Sequence, residues 1–296
     1  MQNQVEYIMP RRIQSERKDI LTLVRMFNFV EDVNYRNVIL NYKNTIFFAA
    51  ELYGFYHFRI KQLSNKGIKV EAINVKEDVD YVNHISSKWN HNFVPNHNTA
   101  ILFHDFEQDL ISENYDSFDY YMQKELLSRF IQSRIIRDVV VQYLSELFVN
   151  SRTHGHTNNI ICGGQIYKTS NKIKIVFVDF GVTIPYNIEN YTVKGRNYYF
   201  KDNDADAIKW STLAGNSTKS TSASGLGLNS IIGFIDSCNG RILIISRNGS
   251  YERANKIDKT FNTGIRFNGT MVTIEFDLSN LKEINKPKNR SKVFSI

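Results

Sequence analysis

The apolar positions of the chain change period several times, and each change marks an expected element. Between residues 38 and 75 the order is strand, helix, strand. VILNY alternates, AAELYGFYHFRIKQL holds apolar residues at helical spacing, and IKVEAINV alternates again after a Ser-Asn-Lys-Gly turn. A second helix is expected over 79–89, followed by a loop, NHNFVPNHNTA, rich in Asn and His and holding Pro95. Residues 123–152 are the strongest helical stretch and read as two helices meeting near 132–137. Beyond them NNIICGGQIYK, KIKIVFVDF, RILIISRNG and TMVTIEFDL are β-rich segments bounded by Gly, Asn or Lys turns. A polar stretch without continuous periodicity, 185–224, separates the second of these strands from the third, and a stretch of that length suits a functional lid. An amphipathic helix is expected over 228–238, and no repeat or low-complexity tract interrupts the order.

The pattern implies an α/β (α+β) chain, and 296 residues suffice for two domains. No apolar run reaches the roughly 18 residues of a membrane span, so no membrane association is expected. The start, MQNQVEYIMPRR, lacks a charged segment leading into an apolar one, which sets a cytoplasmic expectation. Much of the net charge of +7 sits in KEINKPKNRSK, a basic tail over 281–296 that reads as solvated. With no finger, RNP-type or helix-turn-helix signature beside it, nucleic acid is not the expected partner. Cys162 and Cys238 share no metal-ligand spacing and read as buried thiols.

Three motifs carry candidate chemistry. In SELFVNSRTHG, Glu146, Asn150 and His154 are spaced by four and share one helical stripe, while Val140, Val141, Leu144, Leu147 and Phe148 form an apolar stripe to one side. Every member of the polar stripe can bind metal or move a proton, although a plain surface face would read the same way. In VFVDFGVTIP a strand runs into Asp179 and then Gly181. A carboxylate there can accept from an exocyclic amine, and a glycine lets backbone pass close to a flat ring; a simple strand-end turn is the bland alternative. In STKSTSASGLGLNSIIGFIDSCNG a Ser, Thr and Gly-rich loop opens a helix, a junction suited to anions. It lacks the Lys of a P-loop and the preceding strand of a dinucleotide fingerprint.

The order of the motifs is more specific than any one of them. Residues 123–278 resemble the GHKL ATPase superfamily, which includes gyrase B and the histidine kinases, and SELFVNSRTHG is most similar to the anti-sigma-factor serine kinases. The resemblance implies a Bergerat-type α/β sandwich over 123–280, a mixed sheet covered by helices, binding ATP and Mg2+. Asn150 would hold the metal, Asp179 the adenine amine, and Gly181 would face the ring. Glu146 would polarise the attacking water or hydroxyl. The lid would end in GNSTKS, bringing Ser217, Thr218 and Lys219 to the nucleotide, with Gly225, Leu226, Gly227 and Leu228 at the phosphates. Thr270, in the strand GTMVTIEF, joins the pocket. Two departures, Thr183 and Ala223 in place of family glycines, imply a narrower pocket and slower turnover.

The preceding unit, 1–105, is similar to STAS-like domains, with 106–122 as a linker. Ala49 and Ala50 stand where phosphorylated STAS proteins carry Ser or Thr, so no switch of that kind is expected. The expected function is an ATPase acting as a nucleotide-dependent switch on a protein partner, with a homodimer among the assemblies allowed. A serine kinase and a non-hydrolysing ATP-gated module are the alternatives. His104, in ILFHDFEQDL, resembles a histidine-kinase phosphoacceptor but has no following Pro and lies only 46 residues before Asn150, so it reads as structural.

Overall fold

The computed structural model describes residues 4–33, 35–76, 99–112, 114, 116–127, 131, 133–190, 192–193, 196–197, 203–216 and 227–283. The fold is mixed α/β. Its first unit runs β1 (Gln4–Ile8), β2 (Arg12–Ile13), α1 (Arg17–Val33), β3 (Asn37–Asn41), β4 (Phe47–Phe48), α2 (Tyr53–Asn65) and β5 (Lys69–Ile73). β1, β3 and β5 pair in parallel in that order. The expected strand, helix and strand of 38–75 correspond to β3, α2 and β5, with a 3-10 turn, Ala50–Leu52, leading into the helix. The expectations did not include α1, although its buried Ile20, Leu23, Val24, Phe27 and Val30 keep helical spacing. The helix expected over 79–89 lies outside the described residues.

The second unit runs β6 (Ala100–Asp105), α3 (Glu107–Ile111), α4 (Ser117–Tyr121), a π-helical stretch Met122–Leu127, α5 (Arg134–Gly155), β7 (Ile160–Tyr167), β8 (Lys172–Asp179) and α6 (Ile184–Glu189). It continues with β9 (Thr192–Val193), β10 (Arg196–Asn197), α7 (Asp204–Ser211), α8 (Gly227–Ser237), β11 (Arg241–Ala254) and β12 (Ile257–Asp277). Five strands form one sheet in the order β11-β12-β8-β7-β6, and all four pairings are antiparallel where the resemblance implies a mixed sheet.

Ala100–Asp105, expected in the N-terminal unit, is the edge strand of this sheet, with His104 opposite Cys162. The 106–122 segment, expected as a linker, carries α3 and α4 and buries Phe106, Leu110, Phe118 and Tyr121 in the main core. The reason is local to β7: a Cβ on Gly163 would lie 2.9 Å from Phe103 Cβ, and one on Gly164 2.9 Å from Ile101 Cδ1, so two glycines admit the side chains of β6. The described residues of the 185–224 stretch also carry helices where a lid without periodicity is expected. These are α6, capped by Thr183, and α7, capped by Asn203. The bulged Arg247 of β11 holds both helices through ion pairs to Glu189 and Asp204.

The two units share the large sheet rather than standing apart. Along β8, Ile173, Ile175 and Phe177 enter a front core with α5 and α8, while Val176 and Val178 enter a back core with α1, α2 and β3. The same alternation sends Ile242 and Ile244 of β11 forward and Leu243 and Ile245 back. A strand buried on both faces must be apolar at nearly every position, which is what IVFV supplies. The polar exception on the back face is Lys174, buried at the joint, whose Nζ lies 2.9 Å from Glu16 and 3.1 Å from Glu275. Arg241 adds a bond of 2.7 Å to the same Glu16.

The joint is close-packed at Gly54, where a Cβ would fall 2.4 Å from Ile161 Cγ2 and 3.0 Å from Phe103 Cβ. A Cβ on Gly233, exposed on α8, would have no neighbour within 4 Å outside its own helix turn. Gly54→Ala is therefore expected to cost about 1–3 kcal/mol through overpacking, while Gly233→Ala gains roughly 0.5–1 kcal/mol from helix propensity. Denaturant unfolding measures both; an unchanged midpoint for Gly54→Ala would show that this approach does not set the packing of α2.

Candidate functional site

α5 presents the predicted division of faces. Val139, Val140, Val141, Leu144, Leu147 and Phe148 are buried, whereas Glu146, Asn150 and His154 are only half-buried. The Ser133 hydroxyl accepts from the Ile136 N–H at the N-terminus, and His156, at φ 48°, ends the helix in the left-handed region. The turn after β8 is built on that helix end. The Val182 N–H donates to the Gly155 carbonyl at 2.7 Å. A Cβ on Gly181 would sit 2.0 Å from the Gly155 carbonyl oxygen, so the turn can cross α5 only as glycine.

Asp179 ends β8 beside this crossing, opposite Ile160 on one side and Thr270 on the other. It is 3% exposed. Burial pushes its carboxyl from 3.8 up to about 7, outweighing hydrogen bonds from the Gly181 N–H, the Ser151 hydroxyl and the Thr270 backbone. The Thr270 hydroxyl lies 3.1 Å from that of Ser246, whose oxygen also accepts from the Ile184 N–H. Thr183 is buried, and its hydroxyl serves as the cap of α6, accepting from the Tyr186 N–H.

The metal-competent side chains meet the other motif at the start of α8. A Cβ on Gly227 would lie 3.0 Å from Asn150 Nδ2 and 3.1 Å from Glu146 Oε2. Leu228, next along, packs against the front core and fixes the helix. The structure thus brings Glu146, Asn150 and Gly227 together, and Asp179, Gly181 and Thr270 together, at the two ends of the last three turns of α5. Ser217, Thr218, Lys219, Gly225 and Leu226 lie outside the described residues. Among the described residues no three His, Cys, Asp or Glu side chains converge as a metal cage. A cation held at Asn150 would therefore need most of its ligands from elsewhere, as Mg2+ does when it binds through phosphates.

His104 is on β6, its Nε2 2.7 Å from Asp109 Oδ2, lining a cleft of about 550 Å³ with Tyr120 and Tyr121. Cys162 and Cys238 are buried free thiols, and burial pushes Cys238 up to about 12. Sequence reasoning missed Gly155, Ser151 and Ser246. Gly155 stands at the end of the THG run, and a glycine closing the motif helix was a usable signal; the two serines carried none. No protein-family model matches the chain, and no curated protein matches it. No helix among the described residues is long and apolar enough to cross a membrane.

The raised Asp179 carboxyl gives a pH signature. Between 3.8 and about 7 the folded protein keeps a proton that the unfolded chain releases, so this group lowers stability as pH rises through that window. Asp179→Asn, which cannot ionise, is expected to exceed the unsubstituted protein in stability by more than about 1 kcal/mol at around pH 8. The difference should close toward about pH 4. Unfolding midpoints across that range test this, and a variant less stable in alkali would mean that the charge of Asp179 has favourable company.

Proposed function

We propose that the second unit is a GHKL-type, Bergerat-fold ATPase that binds Mg-ATP and acts as a nucleotide-dependent switch on a protein partner. The observation that carries this reading is Gly227. At that one point the N-terminus of an eleven-residue helix, α8, meets the Asn150 amide and the Glu146 carboxylate. The first-turn N–H groups and the positive end of a helix dipole suit a phosphate, and the missing Cβ lets this helix start approach Asn150 and Glu146 closely. Asn150 would hold the metal, which supplies charge neutralisation at the phosphates when bound.

Glu146, one turn earlier on the same stripe, accepts a proton from the attacking water. Asp179 supports the adenine end. As a carboxylate it accepts from the exocyclic amine of adenine, whereas guanine offers an oxo group at the equivalent position. Gly181 keeps the adjoining backbone free of side chains, and Ser217, Thr218, Lys219, Gly225 and Leu226 complete the phosphate end in this reading. A second reading, an ATP-gated module without turnover, is favoured by Thr183. Its hydroxyl caps α6 and so fixes the turn where a glycine would leave it free.

Asn150→Ala is expected to weaken binding of Mg-ATP far more than binding of metal-free ATP, read by calorimetry with and without chelator. Glu146→Ala should leave ATP affinity near normal while phosphate release falls by about 10²-fold or more. Unchanged phosphate release in Glu146→Ala would move the base elsewhere. ATP binding with no phosphate release from the unsubstituted protein, even with its partner, would select the gated module. Phosphate retained on the partner would select a protein kinase.

A further inference from the structure

The residue between Asp179 and Gly181 points away from the nucleotide site. Phe180 packs into the back core, stacked on Phe58 with ring centroids 3.8 Å apart and planes 17° apart. Phe55 lies parallel at 6.3 Å, and Phe267 of β12 meets the ring edge-on at 6.1 Å. Phe55 and Phe58 both belong to α2 in the first unit and are buried. The backbone on either side of Phe180 is clamped as well. Gly269, at φ 136°, would place a Cβ 2.0 Å from the Asp179 carbonyl oxygen, and Gly181 lies equally close to the Gly155 carbonyl. The Phe180 N–H donates to the Asn159 carbonyl.

This arrangement leaves the turn with little freedom of its own. Gly181 and Gly269 allow α5 and β12 to approach, and the one large side chain of the turn packs face to face on α2 and edge-on against Phe267 of β12. Strand alternation forces the division: if Asp179 faces the α5 side, Phe180 must leave on the other. A shift of α2 moves the Phe180 ring, and with it the peptide that carries Asp179 and Gly181.

We propose that Phe180 is a positioning residue through which α2 of the first unit sets base recognition, so that the nucleotide site is completed by both units. The inference rests on the reading of this site as one for ATP. By linkage the coupling is reciprocal: what ATP gains from a correctly placed α2, α2 gains in order when ATP binds. The first unit is then the element whose partner contacts tune nucleotide affinity, and nucleotide occupancy is reported back at α2.

The test uses the full chain. Phe58→Ala and Phe180→Leu are compared with Phe29→Ala, an exposed α1 aromatic whose ring neighbour is Tyr35, tilted at 48° to it. ATP and GTP affinities are measured by calorimetry, with folding checked by unfolding transitions. Loss of an aromatic pair predicts about three- to tenfold weaker ATP binding in the first two variants. GTP binding should change less, so the preference for ATP shrinks, which a uniform loss of stability would not produce. Phe29→Ala should bind as the unsubstituted protein does. Hydrogen exchange of residues 53–65 in the unsubstituted protein should slow when ATP is added, a readout that stands even if Phe58→Ala does not fold. ATP binding without slower exchange at α2, together with unchanged affinity and preference in Phe180→Leu, overturns the inference alone. An unsubstituted protein that binds no ATP sinks the reading of the site and this inference with it.

Discussion

The structure depends on one constraint, the burial of β8 on both of its faces. An antiparallel sheet usually keeps one face in water, and its strands then alternate apolar with polar. β8 instead places Ile173, Ile175 and Phe177 in one core and Val176 and Val178 in the other. The front core seats α5 and α8, which carry Glu146, Asn150 and Gly227. The back core seats α1 and α2. Removing either layer would expose a row of large apolar side chains, so the first unit is part of the support of the candidate site.

The joint between the units is not purely apolar, and its polar groups fix how the layers meet. Burial alone would push Glu16 up, but Lys174 and Arg241 outweigh it and hold the carboxyl below its usual range. Glu51 accepts from Ser15 at 2.7 Å and from Tyr167 at 2.8 Å, while burial raises its carboxyl. The Ala50 N–H donates to Gln165 at 2.7 Å. Buried charge pairs contribute little net stability, because desolvation offsets most of the attraction. Breaking one is costly, however, since it strands its partner. These contacts therefore disfavour any sliding of α1 and α2 over the sheet, which greasy contacts alone would tolerate.

At the end of β8 the same logic becomes local. Two glycines, Gly181 and Gly269, let the turn meet a helix end and a neighbouring strand within distances no Cβ permits. Asp179 is enclosed by that approach, which is why burial outweighs three hydrogen bonds in setting its proton affinity. Arg247 closes the opposite side, tying α6 and α7 to β11 and so making packed structure of the segment beyond the turn.

The elements were legible wherever periodicity was long and undisturbed. The stripes of α5, the strand KIKIVFVD and the helix after GLGL follow from residue spacing, because one buried face imposes one period. The members of the candidate site were legible for the same reason, since Glu146 and Asn150 must share a face on any helix. The sequence could not decide which partner each face receives. Residues 100–105 read as the end of the first unit and 106–122 as a linker, because Gly163 and Gly164, some sixty residues on, are what admit Ile101 and Phe103. Thr183 reads as a pocket residue, yet its hydroxyl is taken up in capping α6. Phe180 reads as a spacer between an acid and a glycine, and only the presence of α2 behind the sheet makes it an anchor. Local spacing is set by neighbours along the chain and so is written in it, whereas the meeting of two faces depends on contacts distant in sequence, which only the packed structure determines.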